Sequence, residues 1–466
     1  MTTSEATTTP TGPDGAPPTE LKRAITPKLL LLFIVGDILG TGIYALTGQV
    51  ALKVGGALWI PFAVAFIAAF LTAFSYLELV GKYPKAAGAA LYTQKAFGVH
   101  FLTFMVAFTV MSSGMTSAGS AARAVGGTFL PQLFSFVPTE FAIIAIAVIT
   151  LGIFALVNLR GVSESVWANV VFTCIELTGL AIIIILGVGA VIGGTGDASR
   201  IMDFNTQDQS AFFAVVAGTS LAFFAMVGFE DSVNMAEETT KPSRFPKAML
   251  IGMGLAACIY ISVAVLSSWI LPYEVLTAEE GSGALIRVLE AAAPWFPVGI
   301  FAAISVFAVA NSALINMMMA SRLVYGMSKE KVIPSFFSKV AAKRRTPWVA
   351  IIFTSALAMC LTAYADIGVL GGTTSLLLLA VFTIVNIAVL VLRKDTVEHA
   401  HFKAPTIIPI IGALISAFLV GPWSGRDPLQ YQIAGILLAV GVVLWAVTYF
   451  GQKMTADRET VDISKD

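Results

Sequence analysis

Three glycines and a carboxylate interrupt one apolar run. The stretch Gly36-Asp37-Ile38-Leu39-Gly40-Thr41-Gly42-Ile43-Tyr44 lies inside residues 29–52, a run long enough to cross a bilayer. Each glycine weakens a helix by about 1 kcal/mol relative to alanine. Backbone freed at mid-depth is tolerated only where it lines a cavity or is buried in protein. An ionisable group such as Asp37 at that depth is costly and functional by default: it meets a cationic side chain, carries a proton, or holds a neighbouring span by hydrogen bonds. A second stretch has the same character. Phe223-Phe224-Ala225-Met226-Val227-Gly228-Phe229-Glu230-Asp231 puts a glycine near the middle of the run 211–235 and two acids just beyond it. Two helices broken at matching places of an inverted repeat mark a transporter's binding site. A third carboxylate, Glu176, stands about twelve residues into the run 165–193, between Ile175 and Leu177.

The elements that position these groups follow from composition. Of 466 residues, 57% are hydrophobic and 12% charged, against about 25% charged in a soluble domain. The chain therefore reads as an all-α polytopic membrane protein. Apolar runs recur at 29–52, 57–80, 99–127, 141–159, 165–193, 211–235, 248–271, 298–325, 348–364, 374–392, 406–420 and 431–450, giving twelve candidate transmembrane helices. With the N-terminus inside, 23 of the 28 Lys and Arg fall in tails and loops of the inner side; only Lys53, Arg123, Arg200, Arg287 and Arg426 fall elsewhere. That bias places both termini in the cytoplasm. Residues 1–27 are Thr/Pro/Gly-rich and read as a disordered cytoplasmic tail, and 452–466 as a cytoplasmic C-terminal tail. Residues 1–20 lack the charged n-region and cleavage site of a signal peptide. Cys174, Cys258 and Cys360 each lie in an apolar run and are expected as buried free thiols. The remaining charges suggest modest roles: Arg123 snorkels or caps, the alternative being that it binds substrate, and Glu78 and Lys82 are solvated or pair in a gate at the inner interface. Ser112, Ser113, Thr116 and Ser117 allow close packing, with one or two lining the site. His399 and His401 have no partners at metal-ligand spacing. The chain contains no P-loop, no Rossmann glycine fingerprint and no H-E-x-x-H, so neither a metal nor a cofactor is expected.

Several motifs carry a resemblance. Gly40-Thr41-Gly42-Ile43-Tyr44 is similar to the G-S/T-G-I-F/Y signature of the amino acid–polyamine–organocation superfamily, and Phe223 to Glu230 resembles its F-F-A-F-x-G-F-E motif. Pro84-Lys85-Ala86-Ala87-Gly88 with Tyr92, Glu237-Glu238 through Lys241-Pro242 and Arg244 to Pro246, and Ser321-Arg322 with Tyr325 and Pro334 resemble its cytoplasmic loops. The departures, Ala87 and Ala90 for Gly and Tyr, Lys241 for Asn, and one residue fewer between Arg244 and Pro246, fall on that cytoplasmic surface. The resemblance implies a leucine-transporter-like fold: a 5+5 inverted repeat with discontinuous helices 1 and 6. The first repeat then covers 28–195, the second 205–395, and peripheral helices 11 and 12 cover 404–451.

Within that fold, freed N–H groups around Gly40, Thr41, Gly42 and Ile43, at a half-helix N-terminus, suit a carboxylate. Freed carbonyls near Phe223, Phe224, Ala225 and Gly228 suit an ammonium. Phe224 matches the family's aromatic lid, or is a core phenylalanine. Related proton-coupled members carry a lysine where Glu176 stands, filling the space of a sodium site. Glu176 is accordingly a proton carrier, a Na⁺ ligand with span 1 and Asn311 or Ser312, or a structural partner of a hydroxyl. Asp37, Glu176, Glu230, Asn311 and Ser312 are the coupling and gating candidates. The expected function is H⁺-coupled secondary transport, a symport, of a neutral or broad-range α-amino acid across the plasma (cytoplasmic) membrane. The alternatives are a cationic amino acid or polyamine exchanger, a Na⁺-coupled symporter, or a substrate-binding sensor on the same fold. An enzyme lacks a visible nucleophile with its base, and a channel lacks a continuous polar stripe.

Overall fold

The computed structural model describes residues 25–84, 88–204, 210–234, 236, 239–329, 333–342, 344 and 346–463, with the side chains at 162–166, 234 and 451–463 excepted. The tail 1–24 and loop-motif residues 85–87, 237 and 238 lie outside the described residues. Long Leu, Ile, Val and Ala runs become helices because every backbone polar group in hydrocarbon needs a partner within its own segment. The first half comprises α1 (Pro27–Ile38), α2 (Thr41–Val54), α3 (Trp59–Lys82), the short α4 (Gly88–Phe97) and α5 (His100–Ala124). A π-turn, Val125–Phe129, joins α5 to α6 (Leu130–Phe134), and α7 (Glu140–Arg160) and α8 (Val162–Ile192) follow. The second half holds α9 (Ala211–Ala222), α10 (Asp231–Asn234), α11 (Phe245–Ile270), α12 (Tyr273–Leu276), α13 (Ala284–Ala292), α14 (Val298–Lys329), α15 (Trp348–Tyr364) and α16 (Ile367–Leu392). Then come α17 (Ile407–Val420) and α18 (Pro428–Ile463). Four helix starts are capped by side chains: Thr26, Thr139, Ser210 and Asp366 accept N–H bonds from Leu29, Ala142, Phe213 and Val369, satisfying donors that a helix leaves unpaired.

Among the described residues, ten spans are long and apolar enough to cross a membrane, and α15 and α17 are shorter. The 14 residues of α17 give about 21 Å, short of a hydrocarbon core of about 30 Å; ten long helices and these two short ones correspond to the twelve apolar runs. The tenth apolar run starts at Ile367 rather than 374, and α18 continues to Ile463 through the segment expected as a tail. The centre is formed by α5 packed along α14 and α16, with α8 along α14 and α1 along α11. Ile149, Ile153, Ile185, Val443 and Val447 are exposed on the outside of the bundle, the surface lipid covers. Cys174, Cys258 and Cys360 are free but exposed, not buried: an apolar run in a membrane has a lipid-facing side, so hydropathy does not report burial.

The charges Glu78, Lys82 and Arg123 also differ from expectation. Glu78 is buried and accepts from Arg393 Nε (2.9 Å) and Nη2 (2.8 Å) and from the Ala404 N–H (2.8 Å). Lys82 donates to the carbonyls of Leu392 and Asp395, and Tyr83 to the Asp395 carboxylate. These groups fasten the end of α3 to the segment between α16 and α17, instead of lying solvated. Glu78→Ala should therefore lower stability by about 2 kcal/mol, less than the ~3–5 kcal/mol of a fully buried pair because Arg393 keeps some water contact. Thermal unfolding of the purified protein in detergent measures this, and an unchanged midpoint would remove the fastening role. Arg123 likewise neither snorkels nor merely caps. It is buried, donates to the Thr362 carbonyl (2.9 Å) and pairs with Glu140, joining α5, α15 and α7.

Candidate functional site

The helix α1 stops at Ile38 and α2 restarts at Thr41, leaving Leu39 and Gly40 between them, with Gly40 at φ −79°, ψ −131°. Gly40 has no side chain to cap α2, so the first-turn N–H groups depend on neighbours. Ser312 on α14 supplies one acceptor: Thr41 N–H donates to its Oγ (3.1 Å). The approach is so close that a Cβ on Gly40 would lie 1.6 Å from Ser312 Oγ. The next glycine faces the other stretch, since a Cβ on Gly42 would lie 2.3 Å from Ala225 Cα.

That other stretch leaves α-helical geometry after Ala222. A tight turn, Phe223–Met226, leads to extended backbone at Val227 (φ −74°, ψ 149°). Gly228 follows at φ +120°, a conformation open to glycine and strained for other residues. There is no room for a side chain either, because a Cβ would meet the backbone carbon and oxygen of Asp37 at 2.8 Å. The two interruptions therefore touch at two points, Gly42 on Ala225 and Gly228 on Asp37.

Between them lies a cavity of about 10 Å³ bordered by Asp37, Thr41, Gly42, Phe224 and Gly228, with Ser117, Ser312 and Asn316 also in its wall. This is room for about one water. Asp37 Oδ2 and Thr41 Oγ1 are buried and have no hydrogen-bond partner among the described residues. Phe224 packs toward Gly371, whereas Phe223 turns away onto Phe382, ring centroids 5.9 Å apart. The Ile43 carbonyl is taken by Thr47 Oγ1. The Glu230 carboxylate accepts from the Gly228 N–H (2.9 Å), and Glu230, Asp231 and Asp37 are all buried within electrostatic reach of one another.

Beside this cavity, a polar cluster joins α1, α8 and α14. Asn311 donates to the Gly36 carbonyl and Thr173 Oγ1 (both 3.3 Å) and accepts from Asn169 Nδ2 (3.3 Å). Glu176 is fully buried next to Asn311, yet neither carboxylate oxygen accepts a bond of good geometry. Its backbone carbonyl accepts from Tyr44 Oη (3.0 Å), while Tyr260 Oη donates to the Ile38 carbonyl. The structure thus brings Glu176 and Asn311 together and separates Ser312 from them. Asn169, Thr173, Tyr260 and Asn316 were not marked by sequence reasoning. For Asn316 a signal existed: with Ser312 it forms an i, i+4 polar pair on one face of an apolar helix. Among the described residues, no group of three or more His, Cys, Asp or Glu is placed to hold a metal ion.

Comparison with known proteins places this architecture. The family model described as amino acid permease matches residues 26–450. The chain is 27% identical to the methylthioribose transporter of Bacillus subtilis over 443 residues, covering 91% of this chain and 93% of that one. It is 26% identical to the branched-chain amino acid permease BcaP of the same organism over 421 residues, covering 86% and 88%. With the human cationic amino acid transporter 4 it shares 27% identity over 400 residues, 82% of this chain and 61% of that one. A match across nearly the whole length means that the chain belongs to the amino acid permease family.

Proposed function

We propose that the protein carries an α-amino acid, neutral or of broad range, across the cytoplasmic membrane by H⁺-coupled alternating access, with both termini inside. In this reading, 28–195 and 205–395 are inverted five-helix repeats, α1/α2 and α9/α10 are their discontinuous first helices, and α17 and α18 are peripheral. The observation that carries it is the direct abutment of the two interruptions. The start of α2, whose Thr41 N–H is taken by Ser312, abuts Ala225 in the turn after α9, so in this reading a zwitterion at the junction finds first-turn N–H donors for its carboxylate on one side and the carbonyls of the turn for its ammonium on the other. Thr41 Oγ1, without a partner among the described residues, adds a hydroxyl to the carboxylate side. Glu176 carries the coupling proton, since a buried carboxylate beside an amide and without a cation changes charge only by taking up a proton or a metal ion.

A second reading, a cationic amino acid or polyamine as substrate, rests on Asp37, Glu230 and Asp231, three buried acids bordering one glycine. The cationic amino acid transporters among the relatives favour it, as the branched-chain permease favours the first. The test is uptake of a panel of labelled amino acids and polyamines into proteoliposomes, under a pH gradient and then a Na⁺ gradient. Accumulation of neutral amino acids with the acid side outside is the expected result. Accumulation driven only by Na⁺ overturns proton coupling, and binding without flux makes the protein a sensor.

A further inference from the structure

The wall of the inner cavity, the one between the two interruptions, also includes two long helices, α5 and α14. Its larger apolar side chains, Ile38, Phe224 and Val227, all belong to the interrupted stretches. The side chains that α5 and α14 add, Ser117, Ser312 and Asn316, are all polar. With the α-amino and α-carboxylate groups held by the interruptions, the rest of an amino acid has α5 and α14 left to meet.

Asn316 presents an acceptor there. Its Nδ2 donates to the Ser312 carbonyl (2.8 Å). A backbone carbonyl can only accept, so this bond fixes which end of the amide is nitrogen and leaves Oδ1 as the free end. A Cβ on Gly114 would lie 3.5 Å from that Oδ1, so α5 runs close to α14 at this level. Ser117 stands one turn further along the same face of α5. Both Ser117 and Asn316 are buried. Among the described residues, Asn316 Oδ1 accepts no hydrogen bond and Ser117 Oγ makes none.

The other hydroxyls of α5 show what is unusual about Ser117. Thr103, Thr109, Ser113 and Thr116 each donate to a carbonyl of the preceding turn, the common outlet for a hydroxyl within a helix. Ser120 donates to the Ile367 carbonyl. Ser112 Oγ also lacks a partner but does not border the cavity. A methyl group set against Asn316 Oδ1 and Ser117 Oγ leaves both unpaired, whereas a hydroxyl donates to the first and accepts from the second. A site with polar groups of this kind discriminates most strongly against an isostere that lacks the hydroxyl.

We propose that the substrate is a small α-amino acid with a side-chain hydroxyl, of the serine and threonine class, and that Asn316 and Ser117 read that hydroxyl. The assignment rests on the transport reading above and narrows it. Small size follows from the position of α14. Ser312 Oγ binds the Thr41 N–H at the start of α2 (3.1 Å), and Asn316 is one helical turn from Ser312. A side chain of one or two carbons covers that step.

The test is uptake of tritiated L-threonine and tritiated L-valine by the full chain in proteoliposomes. The two amino acids share a shape and differ by a hydroxyl in place of a methyl. In the wild type, kcat/KM for threonine should exceed that for valine by about tenfold or more. The preference should vanish in Asn316→Leu and shrink in Ser117→Ala. Each is read as a ratio within one preparation, so the amount of folded protein cancels. If Asn316→Leu yields no folded protein, the wild-type ratio and Ser117→Ala decide. Equal values, or a preference for valine, overturn the hydroxyl assignment and leave the transport reading standing. A preference retained in folded Asn316→Leu overturns the role of Asn316, and one untouched in Ser117→Ala overturns that of Ser117. Absence of uptake for every amino acid in the panel above overturns the transport reading, and this assignment falls with it.

Discussion

Gly42→Ala is expected to reduce amino acid uptake by about a hundredfold or more, the equivalent of ~3 kcal/mol, while the protein still inserts and purifies as a single species. The added methyl lands 2.3 Å from Ala225 Cα and 3.0 Å from Ala225 N. Both are backbone atoms and cannot rotate aside as a flexible side chain would. The start of α2 must then move away from the turn after α9, separating the two sets of polar groups that the proposed site aligns. Overpacking of this kind costs about 1–3 kcal/mol in structure, so the fold survives and function is where the loss is read. Gly254→Ala on α11 is the control: its Cβ meets nothing within 4 Å, and it should raise helix stability slightly with uptake unchanged. Labelled amino acid uptake into proteoliposomes, normalised to monodisperse protein, compares the pair. Wild-type uptake by Gly42→Ala would mean that the two interruptions need not touch for transport.

The glycine-bearing breaks in the two apolar runs were legible in the sequence because the physics there is local, whereas their meeting was an expectation drawn from the resemblance. A glycine in an apolar run has a large cost and few reasons, and Gly40, Gly42 and Gly228 each prove to be places where a Cβ has no room. Partners distant along the chain were not legible. Arg393 lies 315 residues from Glu78, and nothing in either neighbourhood announces the other, so buried ion pairs looked like surface charges. Facing was also hidden where two candidates were adjacent. Asn311 and Ser312 point about 100° apart on a helix; one reaches Gly36 and Thr173, the other Thr41. Phe223 and Phe224 divide in the same way, one into the core and one into the cavity wall.

Glu176→Gln should abolish concentrative uptake while leaving substrate affinity within about threefold of wild type. Glutamine keeps the volume, so the packing around Tyr44, Tyr260 and Asn311 is preserved and the Glu176 backbone carbonyl still accepts from Tyr44. Only the capacity to gain and lose a proton disappears. A proton-coupled carrier deprived of its titrating group still exchanges substrate across the membrane, but no longer links that movement to the pH gradient. The accumulation ratio should therefore fall to about 1, with exchange of internal for external substrate retained. A Na⁺-ligand role gives a different pattern: Gln keeps one carbonyl oxygen, so weakened coupling would be rescued by raising Na⁺ and would be indifferent to pH. A purely structural role gives a third, in which binding, exchange and thermal stability decline together. Full accumulation under a pH gradient by Glu176→Gln would remove Glu176 from coupling and move attention to Asp37, which borders the inner cavity with a buried Oδ2 that has no partner among the described residues.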